Sequence, residues 1–277
     1  MYLEFFQLNE KPFSYLTPNP RFFFYAPQYL SVKRKADYVV SERSGHLYIY
    51  GPIGSGKTTL LKTVSQMLDD DARNQVNFLN APNLKTANAL LRRICDGFGV
   101  KTERSYNATL ENLTTWLVAE HREERFPVLI VDEAQNIVRD GLKTLHYLMT
   151  YVTNDALLLM IVLCGQEELA TRIERFPEIK SRMYPSALSA LSREETEDLI
   201  RYRWQVASVE KSNPLPFRKE ALDAIFDYSK GLPREICKLC DLALLAARVG
   251  QRKTIGPKTI GTVARDLALK GGGRGQR

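Results

Sequence analysis

The octapeptide from Gly51 to Thr58, Gly-Pro-Ile-Gly-Ser-Gly-Lys-Thr, constrains the fold of this chain more than any other feature. It fits the pattern G-x-x-x-x-G-K-[ST], in which glycines let backbone N–H groups turn inward around a phosphate. An apolar run precedes it at residues 46–50, and a segment with helical spacing follows at residues 58–68. We therefore predict a phosphate-binding loop that joins a strand to a helix N-terminus, because a chance glycine-rich turn would lack this context.

The chemistry of the loop residues predicts their roles. Lys57 would reach the outer phosphates of ATP with its positive charge, and the Thr58 hydroxyl would hold a magnesium ion. We expect ATP and Mg to be the cofactors. The predicted cofactor-binding residues of this stretch are Gly51, Gly54, Ser55, Gly56, Lys57, Thr58 and Thr59.

A second part of the site is predicted in the apolar run that starts at Phe126 and continues to Gln135. A run of this kind is typical of a buried parallel strand, and it ends here in Asp132 and Glu133. Asp132 would meet the magnesium ion directly or through water, and Glu133 would orient and polarise the attacking water. The alternative is a strand that ends in a solvated acidic pair, which the glycine loop makes less attractive.

Composition fits a soluble intracellular ATPase. The chain has 277 residues, 44% hydrophobic content and four cysteines, so we expect a substantial core and no disulfide framework. Cys237 and Cys240 are interpreted as core thiols of a helix. The longest apolar stretch, residues 156–165, is too short to span a membrane, so we expect a cytoplasmic protein. The 39 basic against 32 acidic residues, net +7, would permit an anionic partner such as nucleic acid.

Sequence patterns divide the chain into four parts: an aromatic and proline-marked segment that packs on the ATPase core (1–45), a P-loop nucleotide-binding domain (46–190), a helical lid (191–266) and a flexible basic tail (267–277). In the second part strands and helices alternate, which predicts a parallel sheet with helices on both faces. Strands are expected at 47–50, 76–80, 127–132, 157–164 and near 186–190, and helices at 58–68, 85–98, 109–123 and 140–152. In the lid, helices should start near Ser192 and Arg218.

A phosphate-loop domain followed by a small helical lid resembles the AAA+ ATPases. The resemblance implies an α/β fold, a P-loop αβα sandwich with a parallel sheet and a helical lid. Residues 163–169 are similar to the first sensor region of that family, which implies that Gln166 lies near the γ-phosphate. Residues 231–234 are similar to its second sensor, which implies that Arg234 contacts the bound nucleotide. The alternative for Arg234 is a solvent-facing arginine at a helix N-terminus.

AAA+ proteins complete each site with an arginine from a neighbouring subunit, so the resemblance also implies a homo-oligomer, either a ring or a helical filament. Such an arginine stabilises charge in the transition state. Arg182 is the first candidate for this catalytic role, followed by Arg175 and Arg172. Any one of the three could instead be an ordinary surface charge of a helix.

Within the AAA+ proteins, several stretches resemble the ExeA, TnsC and TniB group: residues 1–13, 18–22, 131–135 and 165–169. ExeA-type proteins continue into a membrane helix and a peptidoglycan-binding domain, whereas this sequence stops after the lid. That difference favours a TnsC-type regulator of DNA transposition that oligomerises on duplex DNA and links target-site selection to transposase recruitment. The expected partners are duplex DNA, a transposase and a target-selection protein. The alternative is an ExeA-like ATPase of secretion or cell-envelope assembly without DNA binding.

In TnsC-like relatives, loops contact the backbone of duplex DNA without reading sequence. The matching stretches here are residues 80–86 and 99–105. The resemblance therefore implies that the DNA-binding residues are Lys85, Lys101, Thr102 and Arg104. Each could equally be a solvated charge or hydroxyl of a loop.

Overall fold

The structure is a computed structural model that describes residues 2–15, 19–80, 84–153 and 156–269. Its contacts divide the chain into two compact units. We call the first the sheet unit; it consists of residues 27–53 and 60–188. We call the second the helical unit; it consists of the described parts of residues 1–26, 54–59 and 189–277.

Strands alternate with helices as far as residue 187, and helices follow from there on. The helices are α1 Tyr2–Phe5, α2 Pro27–Ser41, α3 Lys57–Asp69, α4 Ala87–Gly97, α5 Tyr106–Arg122, α6 Arg139–Met149, α7 Glu167–Glu174, α8 Pro177–Lys180, α9 Arg193–Ala207, α10 Lys219–Ser229, α11 Pro233–Val249 and α12 Pro257–Asp266. The strands are β1 His46–Tyr50, β2 Asn74–Asn80, β3 Phe126–Asp132, β4 Met160–Gly165 and β5 Met183–Ala187. Within the described ranges, none of the helices combines the length and hydropathy needed to cross a bilayer.

The sheet unit is built on a five-stranded sheet in the order β2-β3-β4-β1-β5. All the neighbouring strands are parallel. Every residue of the central strands β3 and β4 is buried, because helices cover both faces of the sheet. Alternate residues such as Leu129 and Ile161 face a core that α4, α5 and α6 complete, while Ile130 and Val162 are buried on the other face. The predicted α/β architecture with a parallel sheet is thereby confirmed.

Two strands, β4 and β5, start three residues away from their predicted positions. β4 begins at Met160 and not at Leu157, because Leu157 forms an antiparallel bridge with Val152 instead. β5 begins at Met183, earlier than the predicted start near residue 186, because it pairs in register with β1 from its first residue. As an edge strand with a burial pattern of mostly exposed residues, β5 lacks the apolar run that marks β3 and β4.

The helical unit contains α1 and α9 to α12. α9 begins at Arg193 with a capping box, in which Ser192 and Glu195 satisfy each other's backbone N–H groups, and α10 begins at Lys219. Both starts agree with the predicted positions. Cys237 and Cys240 are buried in α11, and burial raises the pKa of both thiols, which fits their interpretation as core residues.

The aromatic N-terminal segment is shared between the two units. Its described residues before Pro27 pack in the helical unit, where the rings of Phe6 and Trp204 lie 6.1 Å apart and Asn213 donates a hydrogen bond to the carbonyl of Phe6. Residues 27–41 instead form α2 of the sheet unit. The large buried Trp204 offers Phe6 an apolar partner. The basic tail beyond residue 269 lies outside the described residues.

Candidate functional site

The phosphate-loop octapeptide has the backbone that an anion cradle requires. Gly54 and Gly56 have φ angles of 84° and 89°, a region that residues with a Cβ rarely adopt. A Cβ on Gly51 would lie 2.4 Å from the carbonyl oxygen of Leu188, so no side chain fits there. The loop begins at Gly51, directly after β1, and leads into α3 at Lys57. The chain therefore has the expected order of strand, loop and helix.

The side chains of this loop suit a negatively charged ligand. Ser55 is fully buried and Lys57 is only 7% exposed. Thr58 and Thr59 are half-buried in the first turn of α3. The first N–H groups of a helix have no partner within the helix and carry a partial positive charge. A phosphate fits this combination of backbone donors and a buried ammonium group.

Arg234 lies next to the loop within the helical unit. Its backbone N–H donates to the carbonyl of Gly54 at 3.2 Å, and a Cβ on Gly54 would come within 3.1 Å of the Cβ of Arg234. The turn before it needs Gly231, whose φ is 72° and where a Cβ would lie 2.0 Å from the carbonyl oxygen of Leu191. The structure thus brings the predicted second sensor and the loop together, with the Arg234 side chain exposed.

The two acids lie at the carboxyl edge of the sheet. Asp132 is the last residue of β3 and is only 2% exposed, and one of its carboxylate oxygens accepts a hydrogen bond from the N–H of Glu133 at 2.9 Å. Glu133 has a left-handed backbone, with φ 51° and ψ 35°. Because β3, β4 and β1 are parallel neighbours, Asp132, Gln166 and Gly51 all stand at the same edge of the sheet unit.

Two further residues, which sequence reasoning did not single out for this purpose, hold the turn after β3. The side-chain amide of Gln135 donates to the Glu133 carboxylate at 2.6 Å and accepts from the backbone N–H of Gln166 at 3.1 Å. Arg172 donates to the backbone carbonyls of Gln135 and Ile137. The Asp-Glu-Ala-Gln spacing puts an amide close to the acids, but its partner on another strand could not be read from the sequence.

The three candidate arginines occupy different environments. Arg172 is half-buried, its guanidinium is used within its own subunit, and burial lowers its pKa. Arg175 is exposed at the end of α7, and Arg182 is exposed directly before β5. Since the strands are parallel, Arg182 stands at the amino edge of the sheet, opposite Asp132 and Gln166. Arg182 is therefore not placed to reach Asp132 or Gln166 of the same chain.

The predicted DNA-binding residues lie on two loops of the sheet unit. Lys85 is exposed before α4, and Lys101, Thr102 and Arg104 follow α4. The 11-residue α4 lies between the loops, a length of roughly 16 Å, so the residues do not form one cluster. Residues 81–83 of the first stretch lie outside the described residues.

The second of these loops has a well-defined conformation. Arg92 donates to the carbonyl of Glu103, Asn112 donates to the carbonyl of Lys101 at 3.1 Å, and the Thr109 hydroxyl accepts from the N–H of Glu103 at 2.9 Å. The ammonium of Lys101 forms a 2.7 Å ion pair with Glu103 although its side chain is 81% exposed. Any contact of Lys101 with a phosphate would therefore compete with Glu103.

Known proteins share this fold and parts of this sequence. Residues 40–173 match the family described as "AAA domain". The chain has the P-loop AAA+ fold, since it aligns with the Aeropyrum pernix ORC2 protein in its ADPNP-ADP complexes at a TM-score of 0.70, 18% identity, 93% of this chain and 71% of that one. It also aligns with Cdc6p from Pyrobaculum aerophilum at a TM-score of 0.69, 16% identity, 92% of this chain and 70% of that one.

Sequence comparison adds two relatives. The chain is 30% identical over 255 residues to general secretion pathway protein A of Aeromonas hydrophila, which covers 89% of this chain and 45% of that protein. It is 24% identical over 225 residues to replication factor C small subunit 1 of Pyrobaculum islandicum, which covers 80% of this chain and 58% of that protein. The chain thus spans less than two thirds of the length of either relative.

Proposed function

We propose that this protein binds ATP and hydrolyses it to ADP and phosphate in a magnesium-dependent reaction. The observation that carries the proposal is the loop of residues 51–58, in which positive-φ glycines, a buried Lys57 and the start of α3 form a cradle for phosphates. Family and fold point the same way, because residues 40–173 match the AAA domain and the fold is that of the P-loop AAA+ proteins.

Each residue of the site then has a chemical task. The loop N–H groups and Lys57 bind the phosphates, and Arg234 contacts the bound nucleotide. A bound magnesium ion, held by Thr58 and Asp132, would neutralise charge on the phosphates. Glu133 accepts a proton from the attacking water, and Gln166 orients that water near the γ-phosphate.

A lysine substitution tests the proposal most directly. Lys57→Ala should abolish binding of a fluorescent ATP analogue and with it all turnover, because the loop loses its fixed positive charge. Lys62→Ala is the matched control, since Lys62 lies exposed on the same helix α3. Equal nucleotide affinity for the two variants, or wild-type protein that releases no phosphate with Mg, would refute the ATPase function.

We further propose that ATP controls assembly of this protein on duplex DNA, as expected for a regulator of transposition that recruits a transposase and a target-selection protein. Support comes from the fixed loop that presents Lys101 and Arg104 to solvent, with the half-buried Thr102 between them. Among the structural neighbours, an ORC1 protein of Aeropyrum pernix was solved in complex with DNA, and the alignment with it has a TM-score of 0.65 at 15% identity.

The competing proposal is an ATPase of secretion without DNA binding, and it is supported by the 30% identity to general secretion pathway protein A. Duplex binding by the purified wild-type protein separates the two. If a non-hydrolysable ATP analogue induces salt-sensitive binding to duplexes of unrelated sequence, the DNA proposal holds. If low salt and the analogue together give no binding, the secretion proposal takes its place.

A further inference from the structure

The side chain of Gln135 connects two parts of the carboxyl edge of the sheet. Its Nε2 donates to Oε2 of Glu133 at 2.6 Å, at the end of β3. Its Oε1 accepts from the N–H of Gln166 at 3.1 Å, directly after β4. One carboxamide thus joins the predicted catalytic carboxylate to the backbone of the turn that carries the predicted sensor.

The orientation of this amide is determined by its partners. A backbone N–H can only donate, so the carbonyl oxygen of the Gln135 side chain must face Gln166. An ionised carboxylate can only accept, so the NH₂ group must face Glu133. In a flipped amide, the carbonyl oxygen would face the Glu133 carboxylate and the NH₂ group would face the Gln166 N–H. Both hydrogen bonds would then be lost.

The surrounding chain leaves room for this side chain and holds its backbone. A Cβ on Gly165 would lie 2.4 Å from Oε1 of Gln135, so any larger residue at that position would displace the amide. On the other side, the half-buried Arg172 donates to the backbone carbonyls of Gln135 and Ile137. The position of the amide is therefore set by three separate segments of the sheet unit.

We propose that Gln135 is a positioning residue for ATP hydrolysis, which fixes the Glu133 carboxylate and couples it to the turn after β4. The inference rests on the proposed ATPase function. Gln135 itself transfers no proton: its amide occupies Oε2 of Glu133 and leaves Oε1 to take the proton of the water that attacks the γ-phosphate. Because the other end of the amide holds the Gln166 backbone, a shift of that turn moves the general base with it.

Two substitutions at this position test the proposal. Gln135→Ala removes both hydrogen bonds, whereas Gln135→Glu keeps an acceptor for the Gln166 N–H and directs negative charge at Glu133. We expect both to lower kcat roughly 10- to 100-fold, with ATP affinity changed by less than about twofold. Gln135→Glu should be at least as damaging as Gln135→Ala. Asn136→Ala is the matched control, since Asn136 is an exposed amide in the same turn.

Which of the two variants has the lower kcat separates a positioning role from a purely structural one. If Gln135 only held the turn after β4, Gln135→Glu would preserve that bond and be clearly more active than Gln135→Ala, and this result would overturn the inference. An equal loss of kcat and nucleotide affinity, or wild-type kcat in both variants, would do the same. Wild-type protein that does not hydrolyse ATP would instead refute the underlying ATPase function, so the two failures are distinguishable.

Discussion

At the scale of single residues, the backbone of Glu133 limits where its side chain, the predicted general base, can point. A left-handed conformation is unfavourable for a residue with a Cβ, by about 1–2 kcal/mol, so it persists only where neighbours enforce it. Here the N–H of Glu133 donates to Asp132, and its carboxylate accepts from Gln135. Asp132 thus holds the backbone of this strained turn, and the Gln135 amide holds the Glu133 carboxylate.

Glu133→Gln should retain ATP binding and lose turnover by about 10²- to 10⁴-fold, because an amide cannot accept the proton of the attacking water. Steady-state phosphate release and nucleotide affinity measure the two effects separately. Glu168→Gln serves as the control, since Glu168 is an exposed acid in the first turn of α7. Turnover by Glu133→Gln at the wild-type rate would remove Glu133 from the mechanism.

His46 makes the stability of the sheet unit depend on pH. Burial lowers its pKa to about 4, the Met149 carbonyl partly opposes this shift, and the positive charge of Arg182 adds to it. Its Nδ1 accepts from the N–H of Ile161 at 3.1 Å, a hydrogen bond that requires the neutral ring. The unfolded chain therefore takes up a proton first, near pH 6.5, and folding stability falls as the pH drops from there towards 4.

The expected loss of stability over this pH range is on the order of 3 kcal/mol. Urea unfolding measured at pH 7.5, 6, 5 and about 4 would show it, and His46→Gln should flatten that dependence relative to wild type. His146→Gln is the control, because His146 is a partly exposed histidine of α6 in the same unit. An unchanged pH dependence in His46→Gln would assign the effect to other groups.

At the scale of elements, the sequence predicted those strands and helix starts that depend on residues close to one another in the chain. The apolar runs located β1, β3 and β4, and Ser192 located the start of α9, since a cap and its helix are neighbours in sequence. β5 was placed too late because an edge strand takes its register from β1 and not from its own composition. The link from Gln135 to Gln166 spans 31 positions, and only the sheet order brings the two together.

The loop after α4 allows a specific prediction about DNA. Lys101→Gln and Lys85→Gln should weaken binding to all duplex sequences alike, and each should reduce the salt slope by about 1. Glu103→Gln should strengthen binding, because it releases Lys101 from its ion pair. Fluorescence anisotropy at several salt concentrations tests all three, with Lys62→Gln on α3 as the control. Weaker binding by Glu103→Gln would show that Lys101 does not contact phosphate.

At the scale of the whole molecule, the predicted catalytic residues of one chain lie at opposite edges of its sheet. Asp132, Glu133 and Gln166 stand at the carboxyl edge of the sheet, and the exposed Arg182 stands at the amino edge. A sheet with strands of 5 to 7 residues separates these edges by roughly 17–23 Å. An arginine at the amino edge is therefore too far from these residues to act on the same site, and we expect Arg182 to complete the site of a neighbouring subunit.

Mixing two inactive variants tests this arrangement. Arg182→Ala and Glu133→Gln should each bind ATP and hydrolyse it poorly, since each lacks one group that stabilises the transition state. In a mixed oligomer, a subunit with intact Glu133 can lie beside one with intact Arg182, so the mixture should regain a measurable fraction of wild-type turnover. Arg175→Ala mixed with Glu133→Gln is the comparison for the second candidate. Wild-type turnover per subunit should also rise with protein concentration, and a rate independent of concentration together with an inactive mixture would place the whole reaction within one subunit.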